Sequence, residues 1–183
     1  GAIVIGIGVS FIVSGNVGGD AMTTFEQGLT QTFHISLPIA MIIANGIFVI
    51  LLLAFAKENI SIDTILSPLF ISAGSKIGLL FMPSLDNMVI RYVFFLIGLS
   101  IAGVGIAIGA QSETGSNPYD GFVLALSKKI NKSYSIVRPI LDASLLVIGI
   151  LLKGTFGVGT FIAIFCMGPV ANFFIKIFAK VIH

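Results

Sequence analysis

The sequence predicts an all-α transmembrane protein made of two homologous repeats, each a long helix, a short broken or re-entrant helix and two further long helices. Three observations carry this prediction. Of 183 residues, 56% are hydrophobic and 10% charged, and the mean hydropathy is +1.10. A soluble domain carries about a quarter of its residues charged, so this chain could not cover a water-facing surface. Its apolar residues fall into runs approaching the about 20 residues that a membrane crossing takes. The chain also matches itself at an offset of 97: Gly6 falls on Gly103, Gly8 on Gly105, Gly18 on Gly115, Phe25 on Phe122, Leu29 on Leu126 and Ile39 on Ile136. Polar positions coincide as well, Asp20 with Asn117, Thr30 with Ser127 and Asn45 with Asp142, and a one-residue slip brings Thr64 onto Thr160. Finally, polar glycine-bearing breaks interrupt the two halves at matching places, Asn16-Val17-Gly18-Gly19-Asp20 in one and the stretch from Glu113 to Asp120 in the other. The repeats are 1–82 and 88–183, joined by a turn at 83–87, with about six full spans and two short helices expected.

The first helix covers Ala2 to Ser14. Gly6 and Gly8 would each cost about 1 kcal/mol against Ala in a water-exposed helix, but in lipid small residues let backbones approach closely. Its counterpart in the second repeat starts near Asn87 or Met88, so the chain is expected to be truncated at its N-terminus, short of about nine helical residues. After the break, Asp20 can cap a second segment running to about Phe33. At 1.5 Å per residue its about 14 residues span roughly 20 Å, against a hydrocarbon core of about 30 Å. It is amphipathic, with Met22, Phe25, Leu29 and Phe33 on one stripe and Thr23, Gln27, Thr30, Gln31 and His34 on another.

Ser36 and Pro38 open the next helix, which runs to about Ala56 and stops at the polar Lys57-Glu58-Asn59. A further span covers Ile62 to about Met82, and Met88 to Ala110 is the full-length partner of the first helix. Asn117 and Pro118 then mark a helix start, Asn as cap and Pro at the first position. Asp120, in that first turn, favours the exposed amides. This short segment ends near Ile130, and Tyr134 to Leu152 and Gly157 to Lys180 complete the second repeat.

The short segments decide the topology. If they dip in and return, each half crosses three times and the halves are inverted; if they cross, each half has four spans and the halves are parallel. Their length favours the re-entrant form. Lys57, Lys128, Lys129, Lys132, Lys176 and Lys180 then share one face, with Lys153 on the other. The positive-inside rule puts the richer face in the cytoplasm. The expectation is a multi-pass protein of the cytoplasmic membrane with both termini inside.

Several function classes drop out. A net charge of +2 and no clustered basic patch argue against nucleic acid as a partner, and no basic residues interleave with the 16 Phe. Cys166, the single cysteine, leaves no intramolecular disulfide or CxxC site and is expected to be a small buried apolar residue. No HExxH, G-x-S-x-G, P-loop or Cys/His metal spacing occurs. Neither an enzyme, a cofactor nor a metal is therefore expected.

Ionisable groups at membrane depth cost at least about 2.5–3.5 kcal/mol and usually face the protein interior or a cavity. Half-helix ends in matching places of two repeats are the best sequence pointer to a transporter site, because unpaired amides and the positive dipole end favour polar or anionic groups. The expected substrate site accordingly comprises Asn16, Gly18, Asp20, Thr23, Glu113, Gly115, Asn117 and Asp120, with Glu26, Asn45 and Asp142 further along. Each has a plainer role to set beside this one. Asp20 and Asp120 serve equally as caps, Asp142 stands four residues from Arg138 as in an ion pair on one helix face, and Glu26 either lines a pathway or faces headgroups.

The run Asn16-Val17-Gly18 with Gln27-Gly28-Leu29, and Gly115-x-x-Pro118-x-Asp120-Gly121 with Leu124-Ala125-Leu126-Ser127, resembles the bacterial YczE/YyaS/YitT-like membrane proteins. So does Gly157-Val158-Gly159-Thr160 followed by Gly168-Pro169. The first repeat departs from that pattern, with Ala21 and Thr23 where the family often has Pro and Asp. The resemblance implies a small polytopic protein of the cytoplasmic membrane, in a family often labelled as possible transporters. The expected function is a secondary carrier or facilitator of a small polar or anionic solute bound between the broken helices. One alternative is a solute-binding subunit served by an energising partner. Another is a non-transporting structural or regulatory protein with a dry interior and its acids paired to Arg138 or capping amides. Membrane lipid is the expected surrounding, and lipid-facing helices would allow a homodimer.

Overall fold

The computed structural model describes residues 1–56, 62–110, 117–132 and 134–182. Among these the chain is all helical, without strands, in the order α1 (Ala2–Gly15), α2 (Ala21–Phe33), α3 (Leu37–Phe55), α4 (Ile62–Leu80), α5 (Met88–Ala110), α6 (Pro118–Lys129), α7 (Tyr134–Leu151) and α8 (Val158–Ile182). Local chemistry accounts for the ends. Asn16 closes α1 in the left-handed region at φ 50°, a conformation Asn tolerates better than most residues. Asp20 caps α2, its carboxylate accepting from the Thr23 amide at 3.0 Å. Asn117 caps α6 by accepting from the Asp120 amide at 2.9 Å, with Pro118 in the position that needs no amide partner.

Among the described residues three helices are long and apolar enough to cross a membrane, over Leu37–Phe55, Met88–Gly109 and Val158–Phe178. This is fewer than the six expected, for reasons visible in the remaining elements. Helix α1 has only 14 residues. Helix α4 carries Asp63 and Lys76 together with Ser67, Ser72 and Ser75, and α7 carries Arg138 and Asp142.

Helix α1 packs between α4 and α5, and α5 continues onto α8; α2 lies on α7, and α3 on α4 and α6. Lesser contacts join α2 to α3, α6 to α7, α4 to α6 and α2 to α8. The α1 contacts are backbone to backbone: a Cβ placed at Gly6 would stand 1.9 Å from the Ile71 carbonyl oxygen, and one at Gly74 would stand 2.1 Å from that of Ile3. Glycines at these positions are what let α1 and α4 touch.

The distribution of side chains is inverted relative to a water-soluble protein. Ser10, Thr23, Thr24, Glu26, Gln27, Asn45 and Thr64 are buried, while Ile50, Leu80, Phe81, Phe165 and Phe173 are among many large apolar side chains that face outward. A surface this apolar is stable against lipid and not against water. Cys166 belongs to that outer surface and is exposed, contrary to the buried position expected of it. In a chain whose exterior is apolar, hydrophobicity no longer implies burial.

Candidate functional site

The breaks expected from the sequence bring polar side chains to a cavity of about 120 Å³ to which all eight helices contribute. From α2 and its cap come Asp20, Met22, Thr23 and Glu26; from α3, Met41 and Asn45; from α6 and its cap, Asn117, Tyr119 and Asp120; and from α7, Arg138. Apolar residues of α1, α4, α5 and α8, among them Val9, Ile71, Ile106 and Met167, close the remaining wall.

The charges divide into two sets. On the α6–α7 side, Arg138 is ion-paired with Asp120 and, through Nε at 3.4 Å, with Asp142. Tyr119 donates its hydroxyl to Asp142 at 2.5 Å, and the guanidinium lies 5.1 Å from the Tyr119 ring centroid, within the range of a cation–π contact. Asn117 holds Asp120 twice, accepting from its amide and donating Nδ2–H to its carboxylate, each at 2.9 Å. The α2–α3 side has no base. Glu26 is 3% exposed and accepts from Asn45 Nδ2 at 3.5 Å, a long contact, while the same nitrogen donates to the Met41 carbonyl at 2.9 Å.

Of the residues singled out from the sequence, Asp20, Thr23, Glu26, Asn45, Asn117 and Asp120 line this cavity, and Asp142 stands behind it as partner of Arg138 and Tyr119. Asn16 and Gly18 lie elsewhere. Asn16 is exposed and accepts from the Thr155 hydroxyl at 3.4 Å. Gly18, at φ 105°, abuts α8, where a Cβ would stand 2.4 Å from Thr160 Oγ1. Beside it the Val17 carbonyl accepts from the Gly159 amide at 2.8 Å. Both residues therefore fasten the first break to the start of α8. Glu113 and Gly115 lie outside the described residues.

Sequence reasoning placed Arg138 only beside Asp142 and missed Tyr119 altogether. The four-residue spacing announces the Asp142 pair, whereas Asp120 and Tyr119 reach α7 only through the packing of α6. Among the described residues no group of three or more His, Cys, Asp or Glu is placed to hold a metal ion.

Residues 1–176 match the family described as Family of unknown function (DUF6198). The chain belongs to that family. One of its relatives is described as a membrane protein, in agreement with the apolar outer surface. The chain is 26% identical over 180 residues to an uncharacterised protein of Haemophilus influenzae, covering 98% of this chain and 82% of the relative. It is 21% identical over 171 residues to the uncharacterised protein YyaS of Bacillus subtilis, covering 92% and 85% of the two chains. The uncharacterised membrane protein YczE of Bacillus subtilis is also 21% identical, over 174 residues, 94% of this chain and 81% of the relative. No solved structure matches. The resemblance expected from the two breaks and the last helix is thus shown, and this DUF6198 member is an integral membrane protein of a bacterial membrane.

Proposed function

We propose that the protein is a secondary carrier or facilitator of a small polar solute, with its site in the cavity between the two broken helices of an internally duplicated chain. The observation that carries this reading is the composition of the cavity wall. Ile5 and Ala102, Val9 and Ile106, Asp20 and Asn117, Met22 and Tyr119, Thr23 and Asp120, and Met41 and Arg138 stand 97 apart, and Ile71 and Met167 stand 96 apart. Of the lining residues only Ile12, Glu26 and Asn45 lack such a partner in the wall. A cavity formed by chance packing has no reason to draw matched positions from both halves; one on the axis relating two repeats does.

The helix pairing supports the same reading. Exchanging α1–α4 with α5–α8 turns α1·α4 into α5·α8, α2·α7 into α3·α6, α2·α3 into α6·α7 and α4·α6 into α2·α8, all of which are packed pairs, and leaves α1·α5 unchanged; α3·α4 is the exception, its image α7·α8 not being among the packed pairs of the described residues. Helices α2 and α6, with 13 and 12 residues, reach only about 18–20 Å, which suits half-helices entering from opposite faces of an inverted pair. A solute between their N-termini would be reached alternately from either side.

One observation favours the structural alternative: Asp120 and Asp142 are paired with Arg138, and Asp20 caps α2. The open cavity and the weakly held Glu26 do not fit a dry, filled interior. The deciding experiment is uptake by proteoliposomes containing the purified chain alone, using a panel of small polar solutes. Uptake that falls several-fold in Asp120→Ala and Asn117→Ala proteins of intact fold is the expected result. Uptake only when a co-purified ATPase is restored would support the binding-subunit alternative. Unchanged uptake in both variants would remove the site from this cavity.

A further inference from the structure

We infer that the cavity selects a small monovalent organic cation, an amine or guanidinium compound of about five non-hydrogen atoms, with Glu26 as its principal counter-charge. The inference rests on the carrier reading for the location of the site and adds the chemistry of what enters it. Three carboxylates and one guanidinium line the wall. The guanidinium is already engaged by Asp120 and Asp142, and one Asp20 oxygen is engaged by the amide of Thr23. Glu26 has only the 3.5 Å contact from Asn45 to one oxygen, and no partner for the other among the described residues. It is nonetheless 3% exposed. An uncompensated carboxylate so enclosed is costly, and the residue lines a space that a small cation fits. An anion would meet Asp20 and Glu26 with no uncommitted base opposite.

Size and wall chemistry narrow the class. An apolar cavity of about 150 Å³ accommodates benzene, with six carbons, so the about 120 Å³ here suits about five heavy atoms. The lining divides into polar groups from Thr23, Asn45 and Glu26 and alkyl groups from Val9, Ile71 and Ile106. That division matches an ammonium or guanidinium head carrying a short apolar part better than a metal ion with its water shell. Glu26 is also the one charged lining residue without a counterpart: the position 97 further on is Val123, which is fully buried and lies outside the wall. The duplicated frame supplies the cavity, and the first half alone supplies the unmatched carboxyl group.

The test is calorimetric and thermal titration of the purified protein in neutral detergent with n-butylammonium, against butyrate and 1-butanol as anionic and neutral analogues and sodium chloride as an inorganic cation. Butylammonium alone is expected to raise the melting temperature, by about 5–10 °C at a hundredfold excess over Kd. Glu26→Gln, which retains size and an oxygen facing Asn45, is expected to weaken binding at least about tenfold. Should that variant fail to fold, Asp20→Asn, which keeps the cap, is expected to weaken it by a smaller factor. Equal or tighter binding of butyrate or butanol, sodium alone shifting the melt, or full affinity in Glu26→Gln overturns the inference. So does stabilisation on acidification that vanishes in Glu26→Gln with no response to the amine, which would mark a proton site. Butylammonium binding without uptake into proteoliposomes would leave the ligand class standing and remove the carrier reading; uptake of an uncharged solute would do the reverse.

Discussion

Replacing Gly6 by alanine probes the contact that sets the far wall of the cavity. The added Cβ would lie 1.9 Å from the Ile71 carbonyl oxygen and 2.7 Å from the Ser75 amide nitrogen, both backbone atoms that cannot turn aside. Reaching an ordinary separation of 3.4 Å requires α1 and α4 to part by about 1.5 Å at this level. The reciprocal contact of Gly74 with Ile3 opens with it. Overpacking of this kind costs about 1–3 kcal/mol. At about 2 kcal/mol the melting temperature of a chain this long falls by about 4–8 °C. Gly46 is the matched control, since a Cβ there meets nothing within 4 Å; Gly46→Ala is expected to hold stability or raise it by up to about 1 kcal/mol through helix propensity. Thermal unfolding of both variants and wild type in one detergent compares them directly. Ile5, Val9 and Ile71 line the cavity, so Gly6→Ala should also alter ligand affinity. If Gly6→Ala melts no lower than Gly46→Ala, the backbone contact does not hold α1 against α4, and the reasoning fails.

Three further outcomes follow from particular contacts. Tyr119→Phe removes the 2.5 Å bond to Asp142; with that carboxylate 30% exposed, the loss is expected near about 1–2 kcal/mol. A double-mutant cycle with Asp142→Asn should show coupling, and additivity within about 0.5 kcal/mol would contradict the bond. Asp20→Ala should cost about 1 kcal/mol of stability while Asp20→Asn costs little, because either Asp or Asn can accept from the Thr23 amide; equal losses in a melting comparison would mean that the charge, not the cap, stabilises α2. Cys166, exposed on α8, should resist maleimides in intact bilayers, where a lipid-facing thiol does not ionise, and react once the protein is denatured in detergent, as mass spectrometry would read; rapid labelling of the bilayer-embedded protein by a sulfonated maleimide would put that face in water.

Helix boundaries were legible because they are written in single residues. Asp20 and the Asn117-Pro118 pair announce the starts of α2 and α6 through side chains that satisfy the first amides, and the observed starts, Ala21 and Pro118, follow directly. The polar wall was partly legible, since Thr23 and Glu26 lie on one side of a short amphipathic helix and Asn45 interrupts a long apolar one. What could not be read was the packing that brings Asp120 and Tyr119 of α6 onto Arg138 and Asp142 of α7. Asp120 and Arg138 are 18 residues apart on different helices, and no local period relates them. Asn16 and Gly18 misled because a break near a site looks the same in sequence as a break that docks on α8. The burial of Cys166 failed for a broader reason: inside lipid, the apolar pattern that marks a soluble core marks the outside equally well.

The cavity wall includes Met22, Met41 and Met167, three of the five methionines in the chain. Each is an unbranched thioether with three rotatable bonds, able to change shape at little cost. Met41 packs with Val9 and Ile71 of the neighbouring helices, and those helices, α1 and α4, are held together by close backbone contacts at Gly6 and Gly74. The cavity is therefore framed by helices held at fixed backbone contacts and lined in part by side chains that can change shape. If the cavity takes a solute as proposed, guests of somewhat different outline could be seated by rotamer changes of these methionines while the helices stay in register. The breadth of what is accepted would then depend on three torsionally soft residues, and exchanging Met22 or Met41 for leucine would sharpen selectivity without enlarging the cavity.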